Sequence, residues 1–278
     1  AALKEAMLHS THFHLPAWAA KALGNIGSDT AKAALREALV LRHDHAWLRL
    51  SAAKALGKLG SKEAVPALKE LMVNPNKDSV VIGAIEALGN IPSEEAVASL
   101  RDAVPALKEM LVNGDTDWSL RATSAEALGK LGSQEAVAAL KEAMLHSTHF
   151  HLPAWAAKAL GNIGSDTAKA ALREALVLRH DHAWLRLSAA KALGKLGSKE
   201  AVPALKELMV NPNKDSVVIG AIEALGNIPS EEAVASLRDA VPALKEMLVN
   251  GDTDWSLRAT SAEALGKLGS QEAVAALK

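Results

Sequence analysis

The chain has 278 residues, enough to bury a sizeable core, and 49% of them are hydrophobic while only 3% are aromatic, with no tyrosine. Lys and Arg (31) against Asp and Glu (32) leave a net charge of −1, which removes the long-range attraction on which nucleic-acid and anionic-membrane binders rely. The absence of cysteine excludes disulfides, thiolate metal sites and Cys nucleophiles. There is neither a signal peptide nor an apolar run near the roughly 18 residues of a membrane span, so a soluble, cytoplasmic protein is expected.

In chain order, the opening AALKEAML reads as the second half of a helix. A loop, HSTHFH, follows from His9, and then AWAAKALGNIGSDTAKAALREALV, which reads as two helices. The next segment starts near Leu41 and repeats the pattern as LSAAKALGKLGSKEAVPALKELMV. Here Leu48, Ala52, Ala55, Leu56 and Leu59 recur at helical spacing and predict the buried stripe of a first helix, A. Gly57 and Gly60 are expected to loosen and end that helix, Gly60 as a left-handed cap. Ser61 is then the expected cap of a second helix, B, with Glu63 in its first turn and Val65, Leu68, Leu71 and Met72 facing the core. A third segment from Asn74 carries IGAIEALGNIPSEEAVASLRDAVPALKEMLV, seven residues longer in helix B. Pro105 lies twelve positions after the Ser93 cap and should kink or break that helix, because it removes a hydrogen bond and clashes with the preceding turn. A fourth, from Asn113, carries ATSAEALGKLGSQEAVAALKEAML, so the four repeats have lengths of 32, 33, 39 and 33.

From Ala138 the chain starts again, and residues 1–141 equal residues 138–278 at every position, an offset of 137. Solvent-facing positions drift first after a natural duplication. Identity that includes them is expected of an engineered or symmetrised array, with a recent natural duplication as the alternative. The organisation expected is one continuous repeat domain over 1–278, made of identical units 1–137 and 138–274 plus four residues of a third, with repeats beginning near 9, 41, 74, 113, 146, 178, 211 and 250.

The run LRxxAAxALGxLGSxEAVPALKE resembles the short HEAT-like repeat first associated with phycobilisome lyases, carried here by Leu48-Arg49, Ala52-Ala53, Ala55-Leu56-Gly57 and Ala64 to Leu68. The resemblance covers essentially the whole chain. It departs where the first-helix Val-Arg pair becomes Leu15-Pro16 and Val80-Val81. It implies an all-α fold, a right-handed α-α superhelix (solenoid) of eight HEAT-like helix pairs, curved enough to raise the question of ring closure.

That family includes deoxyhypusine hydroxylase, where His-Glu pairs near the start of certain A helices hold iron. The matching pairs here are Ala17-Trp18, Leu50-Ser51, Gly83-Ala84 or its neighbour Ile82-Gly83, and Ala122-Thr123, so that chemistry is not carried over and no cofactor is expected. No residue can be assigned to a chromophore-lyase activity.

Histidine is the one residue with a conspicuous pattern. His9, His12, His14, His43 and His45, with copies His146, His149, His151, His180 and His182, lie in loops between repeats. His12, His14, His43 and His45 in one unit, and His149, His151, His180 and His182 in the other, are the candidate metal ligands, with Asp44 as ligand or outer partner. Their spacing matches no established zinc motif, and polar loop filling is the simpler account. Trp18, Trp47 and Trp118 gather near the starts of A helices and are expected to pack over a neighbouring repeat. Met7, Met72 and Met110 read as core filler.

On helix B, Arg36-Glu37, Lys69-Glu70, Lys108-Glu109 and Lys141-Glu142 set each cation beside an anion, a self-neutralising face that argues against nucleic acid. Serines such as Ser61 and Ser133 are explained as caps, and Glu94-Glu95 by the helix dipole, so no enzyme is expected. The opening AALKEAML and the closing SQEAVAALK are two parts of one helix B. Leu3, Met7, Leu8, Val274 and Leu277 are therefore the candidates for end-to-end contact, by ring closure or head-to-tail association. The function expected is a structural repeat scaffold that associates with itself. The alternatives are a protein-binding adaptor using the concave groove, or a metal-binding protein through the loop histidines. Neither a nucleic acid nor a membrane is an expected partner.

Overall fold

The computed structural model describes all residues except 13, 42–44, 74–77, 114–115, 179–181, 211–214, 252, 270 and 278. Among the described residues the regular structure is entirely helical, in two compact units, Ala1–Ala136 and Val137–Lys278. The first unit holds α1 (Ala2–His9), α2 (Leu15–Ile26), α3 (Asp29–Leu41), α4 (Ala46–Lys58), α5 (Val65–Val73), α6 (Asp78–Asn90), α7 (Glu94–Asp102), α8 (Val104–Val112) and α9 (Trp118–Leu131). From α10 (Gln134–His146) the order recurs as α11 (Leu152–Ile163), α12 (Asp166–Leu178), α13 (Ala183–Lys195), α14 (Val202–Val210), α15 (Asp215–Asn227), α16 (Glu231–Asp239), α17 (Val241–Val249), α18 (Trp255–Leu268) and α19 (Gln271–Leu277). The expected repeat starts at 74 and 211 lie outside the described residues.

Within the first unit the A helices pack in series, α2 on α4, α4 on α6 and α6 on α9, while the B helices α3, α5 and α7 form the second layer. The second unit repeats this with α11, α13, α15 and α18 against α12, α14 and α16. The expected stripes lie inside: Leu48, Ala52, Ala55 and Leu56 are buried on α4, with Leu59 half-buried, and Val65, Leu68, Leu71 and Met72 are buried on the B side. Met7 is also buried and Met110 half-buried. Each fully buried Leu stabilises the fold by about 1.5–3 kcal/mol relative to exposure.

Gly57 does not loosen its helix. It sits inside α4, where an added Cβ would lie 2.5 Å from Ala87 Cα, and its copy Gly194 stands equally close to Ala224. Gly24 and Gly161 face Ala55 and Ala192 in the same way, at 2.7 Å from the Cβ. These glycines let successive A helices touch almost backbone to backbone. The helix-ending role falls to Gly27, Gly60 and Gly132, all at positive φ (67°, 61° and 60°), as expected for left-handed caps.

The B helices begin in different ways. Ser93 Oγ accepts from the Ala96 amide at 3.1 Å, and Ser133 Oγ from that of Ala136 at 3.2 Å, as capping predicts. Ser61 departs from expectation. Its Oγ donates to Glu63 Oε2 at 3.0 Å, and the helix opens with a 3-10 turn, Lys62–Ala64. The α-helix proper starts at Val65, with Pro66 in its first turn, where a missing amide costs nothing. Pro105 breaks its helix as expected: α7 ends at Asp102 and α8 starts at Val104. The third repeat thus has three helices.

Ion pairs tie the B helices together from one repeat to the next. Lys4 meets Glu37 at 2.6 Å, Arg36 meets Glu63 at 3.6 Å and Lys69 meets Asp102 at 3.0 Å. The neutral B face foreseen from adjacent Lys-Glu letters therefore arises through partners about one repeat apart. Arg49 and Arg186 are buried beside the core, and desolvation pulls their guanidinium pKa down, opposed by Glu70 and Glu207.

Two predictions follow from these contacts. Gly194→Ala should destabilise by about 1–3 kcal/mol, because Ala224 backbone cannot yield, whereas Gly226→Ala, which meets only the flexible Lys267 side chain at 3.7 Å, should gain up to about 1 kcal/mol of helix propensity. Urea unfolding of the two variants reads the opposite signs. Acid should also weaken the helix starts. Ser119 holds the Asp117 carboxyl below its usual pKa, and amide donation at the turn does the same for Glu63 and Glu200. A carboxyl depressed on folding stabilises above the unfolded pKa and loses that contribution as pH falls through the lowered value. Stability should therefore drop below about pH 4, and Asp117→Asn should flatten the drop in a pH-dependent melting series.

Candidate functional site

The tryptophans are not where the sequence places them. Trp18, Trp47, Trp118, Trp184 and Trp255 are exposed, from 53% for Trp184 to 77% for Trp255, and Trp155 is half-buried. For the tryptophans of α2, α4, α11 and α13 the reason lies in the close A-helix crossings. Gly24 against Ala55, and Gly161 against Ala192, leave room between helices for a methyl group and not for an indole. The indoles are driven to the rim, near the helix starts.

In the second unit this produces a groove of about 450 Å³ between α11 and α13. Trp155 and Trp184 flank it, Gly161 and Ala192 line it, and Lys158, Lys191 and Lys195 add three cations. His151 braces the two indoles: its ring stacks on Trp155 at 5.7 Å and meets Trp184 edge-on at 6.1 Å. Phe150 packs against His151 at 4.8 Å and His182 at 5.8 Å, and His149 lies 6.3 Å from Trp155. The first unit shows the same habit. His14 meets Trp47 edge-on at 5.8 Å, and the Lys21 ammonium lies 5.2 Å over the Trp18 ring, a cation–π contact.

The loop histidines thus come together in part, around aromatic rings. His149 Nδ1 accepts from the His151 amide at 3.4 Å. His45 and His182 act as helix N-caps: each Nδ1 accepts from the amide three residues on, Leu48 at 3.1 Å and Leu185 at 3.2 Å. His12 is exposed, while His43, Asp44 and His180 lie outside the described residues. Among the described residues no three His, Asp or Glu side chains gather as a metal site.

The end-to-end candidates divide. Met7 and Leu8 are buried, on a helix that packs against α2 and α3. Leu3 is half-buried, and Val274 and Leu277 are exposed. Among the described residues no helix is long and apolar enough to cross a membrane. The sequence signal that marks the groove is an A helix with Trp near its start, Lys one turn on and Gly at its crossing. The same pattern also fits a Trp covered by the neighbouring repeat, and exposure is what distinguishes the two.

The sequence profile of HEAT repeats matches residues 1–89, 38–105, 79–150, 104–181, 143–226, 175–241 and 221–278, which together span the chain. The chain belongs to the HEAT-repeat family. It matches no curated protein. Among solved structures it is similar to the complex of CpcE and CpcF of phycocyanin lyase from Nostoc sp. PCC7120, at 24% identity over 85% of this chain and 92% of that one, with a TM-score of 0.50. It is similar in fold to importin beta, at 15% identity and a TM-score of 0.65, where 96% of this chain spans 40% of the other. An engineered protein aligns at 26% identity over 99% of this chain and 80% of its own, with a TM-score of 0.48.

The caps are testable. His45→Ala and His182→Ala should each cost about 1 kcal/mol in urea unfolding, with Asn, which keeps an acceptor, restoring most of it.

Proposed function

We propose that this HEAT-repeat chain is a non-catalytic, symmetrised scaffold that holds another polypeptide along the rim of its A-helix layer. One observation carries the reading: large indoles stand exposed at the starts of α2, α4, α9, α13 and α18, and tryptophan is a preferred anchor of protein interfaces. The B layer offers less, since its cations are paired across repeats. Three further features favour a scaffold over an enzyme. The hydroxyls of Ser93 and Ser133 are engaged as caps, the depressed carboxyls Glu63 and Asp117 belong to helix starts, and His45 and His182 have Nδ1 committed to the backbone. The adaptor role proposed lies on the A-helix rim, and a second copy of the chain is one polypeptide that rim would hold.

A displayed library of peptides and small domains, selected on the immobilised chain, tests it. Binders should emerge that weaken at least tenfold on a variant with Trp18, Trp47 and Trp184 changed to Ala, three exposed positions whose change lets the variant keep its circular dichroism. Binders indifferent to those three changes, or none at all, would overturn the proposal. Light scattering over a hundredfold concentration range reports whether the chain also holds itself.

A further inference from the structure

The geometry points to the α11–α13 groove as the seat of an acidic peptide segment carrying one apolar anchor. The inference rests on the polypeptide-binding reading above and names the partner's chemistry. The floor of the groove is apolar and shallow because Gly161 brings α11 onto Ala192. Its indole walls are held by His151, which touches both, so little side-chain entropy remains to be lost on binding. A volume of about 450 Å³ suits one large side chain with its flanking backbone.

The lining charge is one-signed. Lys158, Lys191 and Lys195 border the groove, and no carboxylate does. Lys191 is committed to Glu223 at 3.0 Å, whereas Lys158 and Lys195 make no ion pair among the described residues. A ligand that buries its anchor between the indoles would bring carboxylates to these two ammonium groups. Aromatic walls with lysines also suit single-stranded nucleic acid. The extent of the positive surface decides against it: α15 brings Glu223 beside Lys191, and α18 carries Glu263 paired with its own Lys267. The cationic stretch ends after two helices, too short for a phosphate track and long enough for a few acidic residues.

The same letters recur 137 positions earlier as Trp18, Lys21, Gly24, Trp47, Lys54 and Lys58. There Lys54 is likewise committed, to Glu86 at 2.9 Å, and Gly24 faces Ala55. Two equivalents of peptide per chain are therefore expected.

The test uses the full chain and four probes: a ten-residue peptide of Asp and Glu around a single Phe, the same peptide with Ala for Phe, its Lys/Arg counterpart with Phe, and ten-residue oligothymidine. Tryptophan quenching and calorimetry read affinity and stoichiometry. The acidic Phe peptide should bind at two sites, at least tenfold tighter than the Ala or the basic peptide, and weaken with salt. Changing Lys21, Lys58, Lys158 and Lys195 to Glu should cost at least tenfold and invert the preference. No binding of the acidic Phe peptide, equal binding of the basic one, or tighter binding of oligothymidine would overturn the inference. If library binders depend on the tryptophans yet are not acidic, the scaffold reading stands and this inference falls. If no binder depends on them, both fall.

Discussion

Much of the packing in each unit depends on the contact of glycine with alanine where α2 crosses α4, where α4 crosses α6, and at the same crossings of α11, α13 and α15. At Gly57 the neighbour is Ala87 Cα itself, and at Gly24 the Ala55 methyl. An α-helix pays about 1 kcal/mol for an internal glycine. The return is a crossing close enough for Leu48, Leu56, Ile85 and Leu88 to be buried from both sides. The same closeness determines what cannot be inside. An indole does not fit between backbones that approach this way, so the tryptophans of α2, α4, α11 and α13 end on the rim, and the proposed binding surface is a consequence of that packing.

The two layers handle charge differently. On the B side, Lys4, Arg36 and Lys69 each reach an acid of the following repeat, and long-range attraction is spent internally. Exposed pairs of this kind add only ~0–1 kcal/mol each. Their effect is to leave a neutral face, which fits the net charge of −1. On the A side, among the described residues, one lysine of the three around the α11–α13 groove is so engaged. A near-neutral chain can therefore carry a local positive seat that bulk composition hides.

The loop histidines show how one residue type serves several local purposes. His182 closes a helix start through Nδ1, and His151 wedges between two indoles with its ring face. Both uses need a small, flat, partly polar side chain at the junction of two repeats. Histidine supplies that. Of the histidines singled out by H-x-H spacing, His149, His151 and His182 each lie against an aromatic ring of Phe150, Trp155 or Trp184.

The sequence by itself determined the helical repeat, its eight-fold recurrence, the buried stripes, the left-handed glycine caps and the break at Pro105. Each is a local matter of spacing or dihedral preference, repeated often enough to be unmistakable. Tertiary structure alone decided the exposure of the tryptophans, the inter-repeat partners of the lysines, and the role of Gly57. These depend on how near the next helix comes, a distance set by contacts between residues some thirty positions apart, such as Gly57 and Ala87. Helical period says which face a residue occupies. Only the approach of the neighbouring backbone says whether that face has room for it.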